Sequence, residues 1–123
     1  MNNIEEIKID SNYNLEFPKL PPCIQIINFS RVYDLKNKDL DNIPYEDDTS
    51  KFNKKLSNLP KNLITLFFPL KSDFSQPVDN LPSSLLYLRL GKNFNQTVDN
   101  LPPNLLSLEL NLLLSSLTIL SIF

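Results

Sequence analysis

The chain has 123 residues and 41% apolar content, enough for one ordinary domain with a real core, which excludes a disordered polymer. One Gly, no Trp and ten Pro exclude long uninterrupted helices and wide sheets and call for frequent, regular reversals. With no His and a single Cys, Cys23, intrachain disulfides, zinc clusters and His-based catalytic relays are excluded, and a net charge of -2 without a basic block argues against a nucleic-acid surface.

Taken from its start, "MNNIEE" has neither a basic n-region nor an apolar h-region. No signal peptide is expected, and a reducing intracellular setting, the cytoplasm, is the default. Ile4, Ile7 and Ile9 then open a pattern that recurs: apolar residues at offsets +4, +7 and +9 of a unit, Asn at +12 and an aromatic at +13, here Asn12 and Tyr13. Leu20 and Pro21 begin the next unit, with Ile24, Ile27 and Phe29 on the triplet and Tyr33 in the aromatic place. Cys23 falls at +3, where other units carry Asn62, Ser84 and Asn104, and is read as a half-exposed structural residue.

Ile43 and Pro44 restart the register as "DNIP", yet "YEDDTSKFN" reaches its Phe four residues early and has no Leu triplet. A loop or decayed unit is expected there, with Glu46, Asp47 and Asp48 as a solvated run, because a calcium loop needs spaced oxygens and a Gly-assisted turn. Leu59 starts a further unit with Pro60, Leu63, Leu66 and Phe68, then two extra residues before Phe74. The best copies follow, "SQPVDNLPSSLLYLRL" and, twenty residues on, "NQTVDNLPPNLLSLEL". The tail "SSLTILSIF" sets Leu117, Leu120 and Ile122 on the triplet. A membrane span needs about 20 apolar residues. That count runs back into Glu109 and Asn111, so a terminal repeat strand is favoured over a membrane anchor.

An L-x-x-L-x-L triplet is a short strand whose last two apolar residues point the same way, and one such strand per unit gives a parallel ladder. The expected fold is mainly β: a right-handed, leucine-rich-repeat-like solenoid of roughly 20 to 22-residue coils, one short parallel strand per coil, with little or no helix. About six coils are expected, two of them incomplete, in a single domain over 1–123. They divide as a partial coil 1–19, a coil 20–42, a degenerate coil or loop 43–58, coils 59–80 and 81–100, a truncated coil 101–112 and a partial terminal coil 113–123. The Asn at +12 is expected to be buried, satisfying backbone groups at the turn. The return path, with Phe94 and Val98 and their equivalents, should complete the core.

The segments "FNKKLSNLPKNL" (52–63), "FSQPVDNLPSSL" (74–85) and "FNQTVDNLPPNL" (94–105), each followed by its Leu triplet, resemble the FNIP repeat, a leucine-rich-repeat relative of social amoebae and of giant viruses of amoebae. The resemblance implies a repeat solenoid, and a host cytoplasmic setting if the source is viral. Family members often place an F-box-like segment before the repeats, which would imply recruitment to a ubiquitin ligase; here Ile4 already belongs to a repeat strand.

In such coils the side chains at +6, +8 and +10 face outward on the strand-lined surface, the usual binding face of a solenoid. The +6 row is Glu6, Ile26, Thr65, Tyr87 and Ser107, and the +8 row is Lys8, Asn28, Phe67, Arg89 and Glu109. Asp10, Ser30, Pro69, Gly91 and Asn111 make the third. Phe67, Tyr87 and Arg89 have the character of interaction hot spots, and Glu109 is expected to pair with Arg89 across adjacent strands. No phosphate-cradling Gly loop or nucleophile constellation can be assembled, and no cofactor or metal site is expected. The leading function is a non-enzymatic scaffold for a protein partner, with self-association through an uncapped C-terminal strand as an added expectation. A truncated copy of a longer repeat protein and a membrane-tethered repeat are the alternatives.

Overall fold

The computed structural model describes residues 5–31 and 48–110, and these contain no helix. Seven strands occur among the described residues: β1 Glu5–Lys8, β2 Ile24–Asn28, β3 Thr49–Ser50, β4 Thr65–Phe67, β5 Lys71–Ser72, β6 Tyr87–Leu90 and β7 Ser107–Leu110. All pairings are parallel. The main sheet runs β1-β2-β4-β6-β7 in chain order, and β3 and β5 form a separate pair. The architecture is the expected β-solenoid, of about four turns with coils of about 21 residues.

Register follows the repeat offsets. Ile27 sits beside Leu66, Leu66 beside Leu88, and Leu88 beside Leu108, so the +7 column runs through the sheet without a slip. The period-two alternation sends these residues inward, and a one-residue shift would turn the whole column to the outer face. Behind the sheet, Leu63, Leu66, Phe68, Phe74 and Leu85 are fully buried. The DNLP turns close each coil with local bonds, such as the Leu85 amide to the Pro82 carbonyl at 3.1 Å and its equivalent from Leu63 to Pro60 at 3.1 Å. Pro suits this place because its fixed φ presets the turn and its missing N–H is not needed there.

Two files of aromatic rings give the core its continuity. Phe29, Phe68 and Phe74 stack at centroid distances of 4.4 Å for each successive pair. Tyr13, Phe52, Phe74 and Phe94 form the second file, spaced at 6.1 Å with their ring planes nearly parallel. Such offset ring pairs contribute about 0.5–1.5 kcal/mol each beyond the area they bury.

The second file corrects the division of the chain. Phe52 stands in the slot that the offsets gave to Tyr33, which lies outside the described residues. Thr49 and Ser50 pair with Lys71 and Ser72, and the Lys51 amide donates to the Ser11 carbonyl at 2.9 Å, so 48–58 is the return path of the coil begun at Leu20. Leu20–Ser30 and Asp48–Asn58 supply eleven residues each, matching the 22 of Leu59–Asn80 position for position. The segment expected to be a decayed unit is therefore the second half of an intact coil, interrupted between Ser30 and Asp48. Ile43 and Pro44 lie outside the described residues, as does the tail with Leu117, Leu120 and Ile122. The two extra residues before Phe74 are β5, and both 22-residue coils carry such a pair.

Asp48 is not part of a solvated run. It is 2% exposed, and its carboxylate accepts the Ser30 hydroxyl at 2.7 Å and the Arg31 amide at 2.6 Å. Asn28, 1% exposed, accepts the Ser30 amide at 2.9 Å and donates to Glu6 at 3.2 Å. No buried side-chain nitrogen or oxygen among the described residues lacks a partner. Glu46 and Asp47 lie outside the described residues.

The inter-coil ladder also sits elsewhere than expected. Asn12 and Asn93 are exposed, and the work falls to the residue after the aromatic. The Asn53 amide donates to Asn14 Oδ1, the Ser75 amide to Asn53 Oδ1 and the Asn95 amide to Ser75 Oγ, each at 2.9 Å. Each polar side chain satisfies the backbone of the next coil, where the return path has almost no strand pairing to do so. The Phe-Asn dipeptide of the repeat is thus one buried ring and one ladder rung.

Candidate functional site

The strand-lined face is built by the outward side chains of β1, β2, β4, β6 and β7. Thr65, Tyr87 and Ser107 are successive neighbours in the register, as are Asn28, Phe67, Arg89 and Glu109. All four residues singled out in the sequence therefore lie together on the C-terminal half of this face, with Phe67, Arg89 and Glu109 in one column.

Exposure divides the face in two. Ile26, Asn28, Thr65 and Phe67 are 5%, 1%, 4% and 8% exposed, whereas Tyr87 is 39% exposed. The expectation that the +6, +8 and +10 positions face solvent thus fails for Ile26, Asn28, Thr65 and Phe67, and on the third row it fails for Ser30, Pro69 and Gly91. Pointing away from the repeat core is decided by the strand's alternation. Solvent exposure depends on everything else packed against the sheet, which alternation does not encode.

Arg89 and Glu109 form the expected pair, Nε to Oε2 at 3.5 Å, with side-chain exposures of 19% and 62%. A pair this open contributes about 0–1 kcal/mol. Leu106, one residue before β7, is 69% exposed and adjoins this corner through its amide, which bonds the Leu86 carbonyl at 2.8 Å. The open corner thus offers an aromatic ring, an apolar side chain and a partly neutralised ion pair, a mixture suited to a protein surface.

Gly91 shows why this corner is tight behind the strand. A Cβ there would lie 2.5 Å from the Pro69 carbonyl oxygen and 2.9 Å from that of Leu70, because β5's extra residues bring the preceding coil close. The chain's one Gly stands where backbone meets backbone.

The +3 position links coils on the other flank. Asn62 donates to the Pro22 carbonyl at 3.0 Å, Ser84 to that of Leu63 at 2.6 Å and Asn104 to that of Ser83 at 3.4 Å. Cys23 is exposed, and its Sγ lies 3.2 Å from a Glu5 carboxylate oxygen. The hydrogen bond to Glu5, with some desolvation and the Glu5 charge, raises the thiol pKa above its ordinary value.

Two shallow depressions of about 320 and 640 Å³ lie between successive turns, one between Leu56 and Leu81 and the other between Leu20 and Leu59. Neither is lined by a strand residue. Among the described residues no group of three or more Cys, Asp or Glu could hold a metal ion, and no helix is long and apolar enough to cross a membrane.

These features define a class, an open parallel β-solenoid assembled from short sequence repeats. Within it, residues 74–112 match the family model described as the FNIP Repeat, a repeat domain and not a known enzyme family. The match runs from Phe74 through the coil of β6 to the residues just past β7. No curated protein and no solved structure matches the chain.

Proposed function

We propose that the chain is a non-enzymatic interaction solenoid that presents the C-terminal half of its strand-lined face to a protein partner. The observation that carries this reading is the contrast within a single sheet face between Phe67 at 8% exposure and its diagonal neighbour Tyr87 at 39%. Tyr87, Arg89 and Glu109 form the contact set, with Leu106 at its edge. Phe67, buried beside Arg89 in the register, supports the set without being its anchor. An aromatic and an Arg at the centre of such a patch are the residue types that contribute most at protein interfaces.

The reading as a decaying copy loses one of its motives, since the segment taken for a lost unit completes a regular coil. The absence of a basic block and of cysteine cross-links supports an intracellular protein partner and no nucleic acid.

The test is quantitative capture of partners from native lysate by the full chain. Tyr87→Ala and Arg89→Ala should each reduce a captured species severalfold, while Lys55→Ala on the return path leaves it unchanged. Unfolding curves of the variants exclude loss of fold. Equal capture by all three variants would overturn the assignment of this face.

A further inference from the structure

The turns that close the coils stack into an edge of the solenoid, and charge is sorted along it. Four tips follow one another over 15–22, 54–61, 76–83 and 96–103, each carrying one half-buried Leu: Leu20, Leu59, Leu81 and Leu101. Contacts between neighbours fix their order. Asn58 donates to the Phe17 carbonyl at 3.0 Å and Asn62 to that of Pro22 at 3.0 Å; Leu56 and Ser57 share a depression with Asp79 and Leu81; Asn104 donates to the Ser83 carbonyl at 3.4 Å. The first two tips carry Lys19, Lys54, Lys55 and Lys61 against a single acid, Glu16, whereas the last two carry Asp79 and Asp99 and no Lys or Arg. Lys19, Lys55, Lys61, Asp79 and Asp99 are all exposed, and no salt bridge joins any of them to another described residue. Lys55 and Asp79 line one depression, where the two halves of the edge meet, without pairing. Successive rungs of a parallel ladder are about 4.8 Å apart, so like charges gather within each half and favour a counter-charge from outside.

We propose that this edge binds the same edge of a second copy, antiparallel, about a twofold axis between the second and third tips. Lys19 then stands opposite Asp99 of the copy and Lys61 opposite its Asp79, and the symmetry makes each contact twice. The depression lined by Lys19, Leu20, Leu59 and Lys61 faces the acidic tips of the copy, and its leucines meet Leu81 and Leu101 there. Charge selects this arrangement. Parallel apposition sets Lys against Lys and Asp against Asp, and like charges brought together at an interface are strongly unfavourable. A parallel stagger by two coils matches only half of each edge and leaves the other half uncovered. The edge is narrow, so the dimer is weak, with a Kd on the order of 0.1–1 mM at low salt. It contains no strand residue, so it does not rest on the reading of the strand-lined face.

Sedimentation velocity of the full chain at low salt, up to about 1 mM protein, tests this. The wild-type protein should form a dimer and nothing larger, because an isologous contact closes, and salt of about 0.5 M should dissociate it. The paired exchanges Lys19→Asp with Lys61→Asp, and Asp79→Lys with Asp99→Lys, should each weaken the dimer by about tenfold or more, since both set like charges across the seam. An equal mixture of these two variants restores an opposite charge at every contact and should associate at least as tightly as the wild type. Circular dichroism of each variant establishes that it is folded. A chain that stays monomeric across this range overturns the proposal, as does an assembly that grows beyond a dimer. So does association that either paired exchange leaves unchanged, or a mixture no tighter than each variant alone.

Discussion

Ser30 and Asp48, eighteen residues apart in sequence, are consecutive in the coil: the Ser30 hydroxyl donates to the Asp48 carboxylate at 2.7 Å, and the two residues take the places that Pro69 and Leu70 hold in the next coil. This contact marks where the repeat was interrupted and where it resumes.

Removal of residues 31–47, with Ser30 joined directly to Asp48, should therefore leave a 22-residue coil like Leu59–Asn80 and a folded protein. The shorter connection lowers the closure entropy by on the order of 1 kcal/mol, offsetting the lost bond from the Arg31 amide. Far-UV circular dichroism and a single cooperative unfolding transition are the expected readouts. A variant that does not fold would show that the intervening residues are integral to the solenoid.

Core and surface positions of the same chain should respond very differently to truncation. Phe68 is fully buried between Phe29 and a second ring at 4.4 Å, Phe74, so Phe68→Ala should cost about 3–5 kcal/mol in denaturant unfolding. Leu106→Ala, at a side chain 69% exposed, should stay within about 0.5 kcal/mol. Comparable losses at the two sites would contradict the burial described for them.

At Gly91 the obstruction is backbone, which cannot rotate away. Gly91→Ala places a methyl 2.5 Å from the Pro69 carbonyl oxygen, so β6 or the preceding turn must shift, at a cost of about 1–3 kcal/mol. A midpoint equal to the wild-type value would mean that the two coils are further apart than this geometry gives.

Cys23 should react with iodoacetamide more slowly at pH 8 than a free cysteine in a short peptide, because the neighbouring Glu5 raises its pKa and lowers the thiolate fraction. Glu5→Gln removes the carboxylate and should speed alkylation toward the peptide rate. No acceleration would show that Glu5 is not the group that holds the thiol.

How much of this was legible in the residue order depends on what kind of signal each feature leaves. The triplet columns, the parallel register and the pairing of Arg89 with Glu109 follow from fixed offsets, since stacking equal coils brings equal offsets together. The ladder through Asn14, Asn53, Ser75 and Asn95 is equally periodic, but one polar residue beside the ring carries no mark that separates it from the Asn at +12. The interrupted coil was hidden because the letters after Ser30 include an aromatic, Tyr33, at the right offset and an Ile43-Pro44 pair that restarts the repeat register.

Taken alone, the sequence determined the period, the strand positions and the identity of the inward columns, because alternation and repetition are local properties of the chain. Tertiary structure decided that Phe52 enters the ring file, that Asp48 is buried, and that Phe67 is covered while Tyr87 stays open. Each of these depends on which distant segment packs against a given position, and packing over many residues leaves no local mark in the order of the letters.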